Sequence, residues 1–260
     1  MTYVCFLIAS HLSLAKRSEA LKRAVKSCQD QHLPDGVEID VYTSVSVNKD
    51  IKSMIICPPL NTKTTFMRAN HQCSQFVHLT MLTAILLLQD KKPDWIVLLD
   101  DDDWLELTYL EKMIELEGNL RHCSGEMCHE PDGHTYKKHY ANGQKADHSG
   151  SMMTFDVFCR AIYDVQYSDV TLGIADCMFR TCIKESMTIH PDILIHRSTN
   201  HTDKVWRAQT STIVAESNII SRIDNKPGPA NNTNNIGDGR IKRIKLILFI
   251  ISHVSNSVCK

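Results

Sequence analysis

With 260 residues, 43% of them hydrophobic, the chain is long enough for one domain of roughly 200–250 residues with a sizeable core. Its 29 basic and 30 acidic side chains nearly cancel, which excludes a global field that recruits nucleic acid or an anionic membrane, so binding must be local. Ten scattered cysteines read as reduced core thiols and exclude a small disulfide scaffold.

The opening MTYVCFLIASHLSLAKR has no basic n-region, and its apolar run over residues 3–9 ends without a cleavage-like site, so it reads as a first strand rather than a signal peptide. No segment approaches the ~20 apolar residues needed to span a bilayer. The longest late run, LILFII at residues 246–251, has six. A soluble, cytoplasmic protein is expected. Leu14, Leu21, Val25 and Cys28 then fall on one face of a helix. A turn at Pro34, Asp35 and Gly36 leads into VEIDVYTSVSV, where Val37, Ile39 and Val41 alternate with polar residues as in a strand. CPPLNTKTT reads as a Pro-rich loop, and residues 69–89 carry Phe76, Leu79, Leu82 and Leu86 as a mostly buried helix.

Residues 95–99 form the next strand, and Leu107, Leu110 and Ile114 mark a helix. Residues 121–148, rich in His, Gly and Lys, read as hairpins and loops. Strands alternating with helices predict an α/β fold with a mostly parallel central sheet flanked by helices, in which ligands bind beyond the carboxyl ends of the strands. From Asp224 the stretch DNKPGPANNTNNIGDG lacks core formers and reads as a linker over residues 224–242. Beyond it, FIISHVS echoes the FLIASHLS of the first strand, so residues 243–260 are expected to begin a second domain after a first one over residues 1–223.

The chemistry concentrates at DWIVLLDDDDW, where Asp100, Asp101, Asp102 and Asp103 follow a segment that wants to be buried. Adjacent carboxylates raise the cost of ionising one another, so the run needs a cation or full hydration. Asp-x-Asp at a strand end can hold a hard divalent cation and leave positions for a diphosphate and water. An acidic helix N-terminus is the plainer alternative, but one or two Asp would suffice for it. Cys123, Cys128, His134 and His139 offer zinc-ligand types, yet the spacing C-x4-C-x5-H-x4-H has too short a central interval for the usual finger. Asn200-His201-Thr202 and Asn231-Asn232-Thr233 have the form of glycosylation sequons and carry little meaning without a secretion signal.

VLLDDDDWLELTYLEKM resembles the "LDxDD" segment of family 2 glycosyltransferases of the GT-A fold. HSGSMMTFDVF resembles that family's Gly-containing strand lining the donor sugar, GIADCMFR its segment with the catalytic base, and LIHRSTNHT its late His/Arg loop over the diphosphate. Together these cover roughly residues 3–210 in order, and the combination is also similar to the first domain of multidomain glycosyltransferases encoded by large algal (chlorella) viruses, which would place the protein in a host cytoplasm. The resemblance implies a metal-dependent enzyme, with Mn2+ or Mg2+, that moves a sugar from a nucleotide diphosphate sugar (UDP-sugar favoured over GDP- or dTDP-sugar) to a glycan or glycoprotein hydroxyl, with inversion. It implies Asp100 and Asp102 as metal ligands with His196, or else His201, completing the shell. It implies Asp100, Asp101, Asp102, Ser149 and Gly150 at the donor, Asp103 as a helix cap, and Asp176 as base with Asp147 and Asp169 as rivals. Ser10 and His11 follow the first strand where the family contacts the nucleotide, and Arg68 and Lys63 lie where a cation could face the phosphates. The second strand departs from the family: it ends in Thr43, Ser44 and Ser46, not in an acidic pair that reads the base. A nucleotidyltransferase acting on sugar phosphates and a non-catalytic carbohydrate-binding module are the alternatives. The first would normally show a Gly-rich loop, which SHLSLAKRSEA lacks.

Overall fold

The computed structural model describes residues 1–12, 15–48, 62–69, 75–140, 148–166 and 182–199. The expected boundary near residue 224, the linker and the second start lie outside them. Strand β1 (Thr2–Leu12) leads to helix α1 (Ala15–Gln29), then β2 (Val37–Asn48), β3 (Lys63–Ala69) and α2 (Gln75–Leu88). Next come β4 (Trp95–Asp100), the two-residue β5 (Trp104–Leu105), α3 (Tyr109–Ile114), β6 (Leu120–Cys123), and the hairpin β7 (Gly125–His129) and β8 (Thr135–His139). The described part closes with β9 (Ser151–Thr154), α4 (Phe155–Gln166), β10 (Met187–His190) and β11 (Ile195–Ser198).

Seven strands form the central sheet in the order β10-β6-β9-β4-β1-β2-β3. All neighbours are parallel except β9, which runs antiparallel between β4 and β6. The sheet is mostly parallel, as expected, with one antiparallel strand. Because side chains alternate across a strand, β1 feeds two cores. Tyr3, Cys5 and Leu7 join Leu79, Leu82 and Leu86 of α2 and Phe158 and Ile162 of α4 on one face. Val4, Phe6 and Ile8 join Leu21, Val25 and Cys28 of α1 and Leu110 and Met113 of α3 on the other. Burial on both faces is why these strands read as continuous apolar runs.

A second sheet, β5-β11-β7-β8, stands beside the first. The segment read as the end of a Pro-rich loop is partly strand: Lys63–Ala69 pairs in parallel with β2. Leu107, expected on a helix, is 47% exposed and precedes α3. The cysteines at 5, 28, 123, 128, 159 and 182 are free, and the first four are buried. Burial pushes the Cys5 thiol up to about 12. No helix among the described residues is long and apolar enough to cross a membrane.

Candidate functional site at the acidic turn

Strand β4 delivers the acidic run to the carboxyl end of the sheet, with Asp100 in register with Ala9 of β1. Beyond it the chain turns sharply, the Asp103 amide donating to the Asp100 carbonyl at 3.3 Å. That turn divides the four carboxylates into two kinds. Asp101 is 5% exposed and Asp103 2%, whereas Asp100 and Asp102 are half-buried at the surface.

The inward pair is anchored. Asp101 accepts from the Ser10 hydroxyl at 2.5 Å and pairs with the Arg17 guanidinium at 2.5 Å, joining β1 and α1 to the turn. Burial pushes its carboxyl up to about 7, against the opposing pull of Arg17. Asp103 accepts from the Ser149 hydroxyl at 2.7 Å and from the Ser198 amide at 3.3 Å. Burial, followed by the nearby charges of Asp100 and Asp102, holds it well above the usual carboxylate range.

The outward pair is placed by other groups. Asp100 Oδ1 meets Gln75 Nε2 of α2 at 2.8 Å and His148 Nε2 at 2.9 Å, and its amide donates to Ser149 Oγ at 3.2 Å. At Asp102 the backbone carbonyl accepts from Arg23 of α1 at 2.8 Å, and the same guanidinium lies 3.8 Å over the Trp104 ring. Gly150 needs its positive φ of 73°, and a Cβ there would lie 2.1 Å from Ile195 Cδ1. Its amide donates to the Leu98 carbonyl at 2.6 Å and its carbonyl accepts from Tyr109 at 2.9 Å.

Asp100, Asp101, Asp102, Ser10, Ser149 and Gly150 are thus brought together from β1, β4 and the turn before β9. Three of the expected donor contacts are turned inward: Ser10 and Ser149 are each 2% exposed, and with Asp101 they brace the turn. Asp103, expected as a helix cap, is a second anchor. His11 and Arg68 are placed by backbone register alone, opposite Ser46 and Val47. Lys63 is engaged by Asp40 at 2.7 Å and by the Tyr42 hydroxyl at 3.0 Å. Ser44 and Ser46 are buried against the two ring nitrogens of His78, at 2.8 and 3.2 Å.

His196 lies on β11, its Nε2 2.6 Å from Glu106 Oε1 and its Nδ1 2.9 Å from His129 Nε2, while its ring stacks on Trp104 at 5.0 Å and 9°. Burial, then the charges of His196 and Arg23, pulls His129 down. A groove of about 510 Å³ runs beside the turn, lined by Lys22, Arg23 and Lys26 of α1 together with Trp104, Leu107 and His196. Asp176, Asp147, Asp169 and His201 lie outside the described residues. Sequence reasoning missed Gln75, Arg17 and Arg23. Arg17 lies in the first turn of α1 and Arg23 about two turns in, six residues apart and so not on one helical stripe, and no spacing in the sequence sets them apart from the other cations of that helix.

No family model matches the sequence, and no curated protein matches it either. Among solved structures, S. aureus TarS 1-349 matches with a TM-score of 0.52 at 9% identity, over 99% of this chain and 83% of that one. The fold is GT-A-like. A longer S. aureus TarS chain gives 0.49 at 8% identity over 78% of this chain, which spans only 38% of TarS there. The 4-diphosphocytidyl-2C-methyl-D-erythritol synthase of Anaerococcus prevotii gives 0.45 at 9% identity, over 84% of this chain and 99% of that one. At such identities the likeness speaks to the fold.

Proposed function

We propose that the chain is a metal-dependent glycosyltransferase that moves a sugar from a nucleotide diphosphate sugar to a hydroxyl of a glycan or glycoprotein, inverting the anomeric carbon. The observation that carries this reading is the division of the acidic turn: two carboxylates locked inward, and two, Asp100 and Asp102, only half-buried at the carboxyl end of the sheet. That arrangement serves a cation better than it serves a helix cap, because the inward anchors hold the outward pair in place before a ligand arrives.

Among the described residues no group of three or more His, Cys, Asp or Glu is placed to hold a metal. Two hard carboxylates fit Mg2+ or Mn2+ in the mode that completes its shell with substrate phosphates and water, and do not fit an all-protein cage. Asp100 and Asp102 would hold it, and when bound the ion supplies countercharge to the departing nucleoside diphosphate. His196, whose two nitrogens are met by Glu106 and His129, would join the shell only by giving up one of them.

The protein's own residues then have separate tasks. Ser149 and Asp103 keep the turn before β9 against β4, and Gln75 and His148 orient the Asp100 carboxylate. From the resemblance of GIADCMFR, Asp176 takes the proton of the acceptor hydroxyl as its oxygen attacks from the face opposite the leaving group. Uridine is the favoured base because TarS has been crystallised with UDP-GlcNAc and with UDP.

The decisive experiment incubates UDP-, GDP- and dTDP-sugars with the protein and Mn2+, with EDTA as control, and follows transfer and slow hydrolysis. Release of nucleoside diphosphate from none of them overturns the proposal. Asp176→Asn should lower turnover by roughly 10²–10⁴-fold with donor affinity little changed, the usual scale for a general base. Full transfer in that variant, with loss in Asp147→Asn or Asp169→Asn, would move the base.

A further inference from the structure

The turn at residues 148–150 gives the acidic run three contacts, through His148 to Asp100 Oδ1, through Ser149 Oγ to Asp103, and from the Asp100 amide back to Ser149 Oγ. Beneath it lies His122 of β6, whose side chain is fully buried. Its Nε2 is 3.1 Å from the Ser149 carbonyl oxygen and its Nδ1 2.9 Å from the Cys123 carbonyl oxygen. Both partners are carbonyls, which can only accept. A neutral imidazole carries a single N–H, so one contact would set a ring lone pair against a carbonyl lone pair in the core; only the imidazolium donates to both.

We infer that His122 is a buried imidazolium and a positioning residue, donating at once to the Ser149 and Cys123 carbonyls and so fixing the turn that orients Asp100 and Asp103. This rests on the functional reading only in taking those acids as the site. Other titratable groups surround the ring. Cys123, on the same strand, donates through Sγ to the Gly125 carbonyl at 3.0 Å. Tyr140 meets the ring edge-to-face at 5.3 Å and donates to Glu126 of β7, and Tyr109 of α3 shares a buried core with Cys123. Burial pulls His122 down, but the Cys123 side chain and the two carbonyls outweigh it, and the net direction is up. Burial pushes Cys123 up, yet its contact with His122 leaves it below its ordinary value. A histidine raised in the folded state contributes stability that is complete below its ordinary value of about 6.5 and is lost as pH rises through its folded value. Alkaline pH therefore loosens the turn.

The test is nitrogen NMR of the full chain labelled at the histidine rings, with His122→Gln assigning the resonance. The expected result is one imidazole protonated on both nitrogens above pH 7; a single-proton tautomer at neutral pH overturns the inference. His122→Gln, with a donor at one end only, should weaken UDP-GlcNAc binding with Mn2+ by roughly 10–100-fold, the scale for loss of a supporting partner. It should also flatten the alkaline fall in Tm of the wild type, whereas a packing role alone would lower Tm equally at every pH and count against the proposal. If the variant does not fold, the wild-type spectrum decides, its His122 ring assigned by through-bond correlation to the His122 backbone. A doubly protonated His122 in a protein that binds no nucleotide sugar would sink the glycosyltransferase reading and leave this one standing.

Discussion

In the central sheet, β1 buries every side chain from Tyr3 to Ile8 and β4 every one from Ile96 to Leu99, whereas in the second sheet all five residues of β8 are exposed and β11 buries only Ile195. The same backbone ladder is held in two ways. Between β1, β4 and their flanking helices the adhesive is apolar area, non-directional and roughly proportional to what leaves water. In the second sheet it is a set of polar contacts: Glu126, 2% exposed, gathers Arg197 at 3.1 Å, Lys138 at 3.2 Å and the Tyr140 hydroxyl at 2.9 Å, while His196 bridges Glu106 and His129. The acidic turn lies where the two meet, with Asp101 anchored to β1 and α1 and Asp103 reaching the Ser198 amide of β11.

That contrast makes stability predictions of very different size. Phe6→Ala, in a fully buried position of β1, should cost about 3–5 kcal/mol in urea unfolding, the range for emptying an aromatic site in a packed core. A cost below about 1 kcal/mol would mean that the central sheet is not the seat of stability. In the second sheet the largest loss should come from an acid. Glu126→Gln removes the charge that Arg197 and Lys138 share, and an expected cost of about 1–3 kcal/mol follows from leaving buried polar partners poorly satisfied. A cost that rises with added salt would contradict this, since salt weakens the ionic contribution of the wild type.

The same division explains what could be read in advance. β1, α1 and β4 were legible because apolar runs and the spacing of Leu21, Val25 and Cys28 carry the signal within a short window. β3 was not: KTTFMRA has no clean alternation, and it is a strand because β2 offers an edge. The second sheet was hidden because its contacts join residues far apart in sequence, Glu106 to His196 and Glu126 to Arg197 among them. At the site the run of four acids was plain, and its division was not. Ser10, Arg17 and Ser149, which select the inward pair, lie 91, 84 and 46 residues from their partners, and no local pattern reports such pairings.

His196 tests whether the second sheet shares in the chemistry. His196→Gln breaks the bridge between Glu106 and His129 and should cost about 1 kcal/mol, the net worth of a typical hydrogen bond. The same variant should leave the Mn2+ concentration required for half-maximal transfer unchanged if Asp100 and Asp102 hold the ion without it. A marked rise in that concentration would put His196 in the metal shell, as the resemblance implied.

The smallest effects belong to β8, and two adjacent lysines give them a sign. Lys137 and Lys138 are both exposed, but successive side chains of a strand point to opposite faces, and only Lys138 is paired with the buried Glu126, at 3.2 Å. Lys137→Ala removes no buried contact and should change stability by less than about 0.5 kcal/mol. Lys138→Ala should cost slightly more, about 0.2–1 kcal/mol, because a half-exposed ion pair is weakened by solvent and side-chain entropy. Its cost should shrink in 1 M salt, where the screening length falls to about 3 Å, while the Lys137→Ala value stays put. Equal, salt-insensitive costs for the two would show that Glu126 draws nothing from Lys138 and is held by Arg197 and Tyr140 alone.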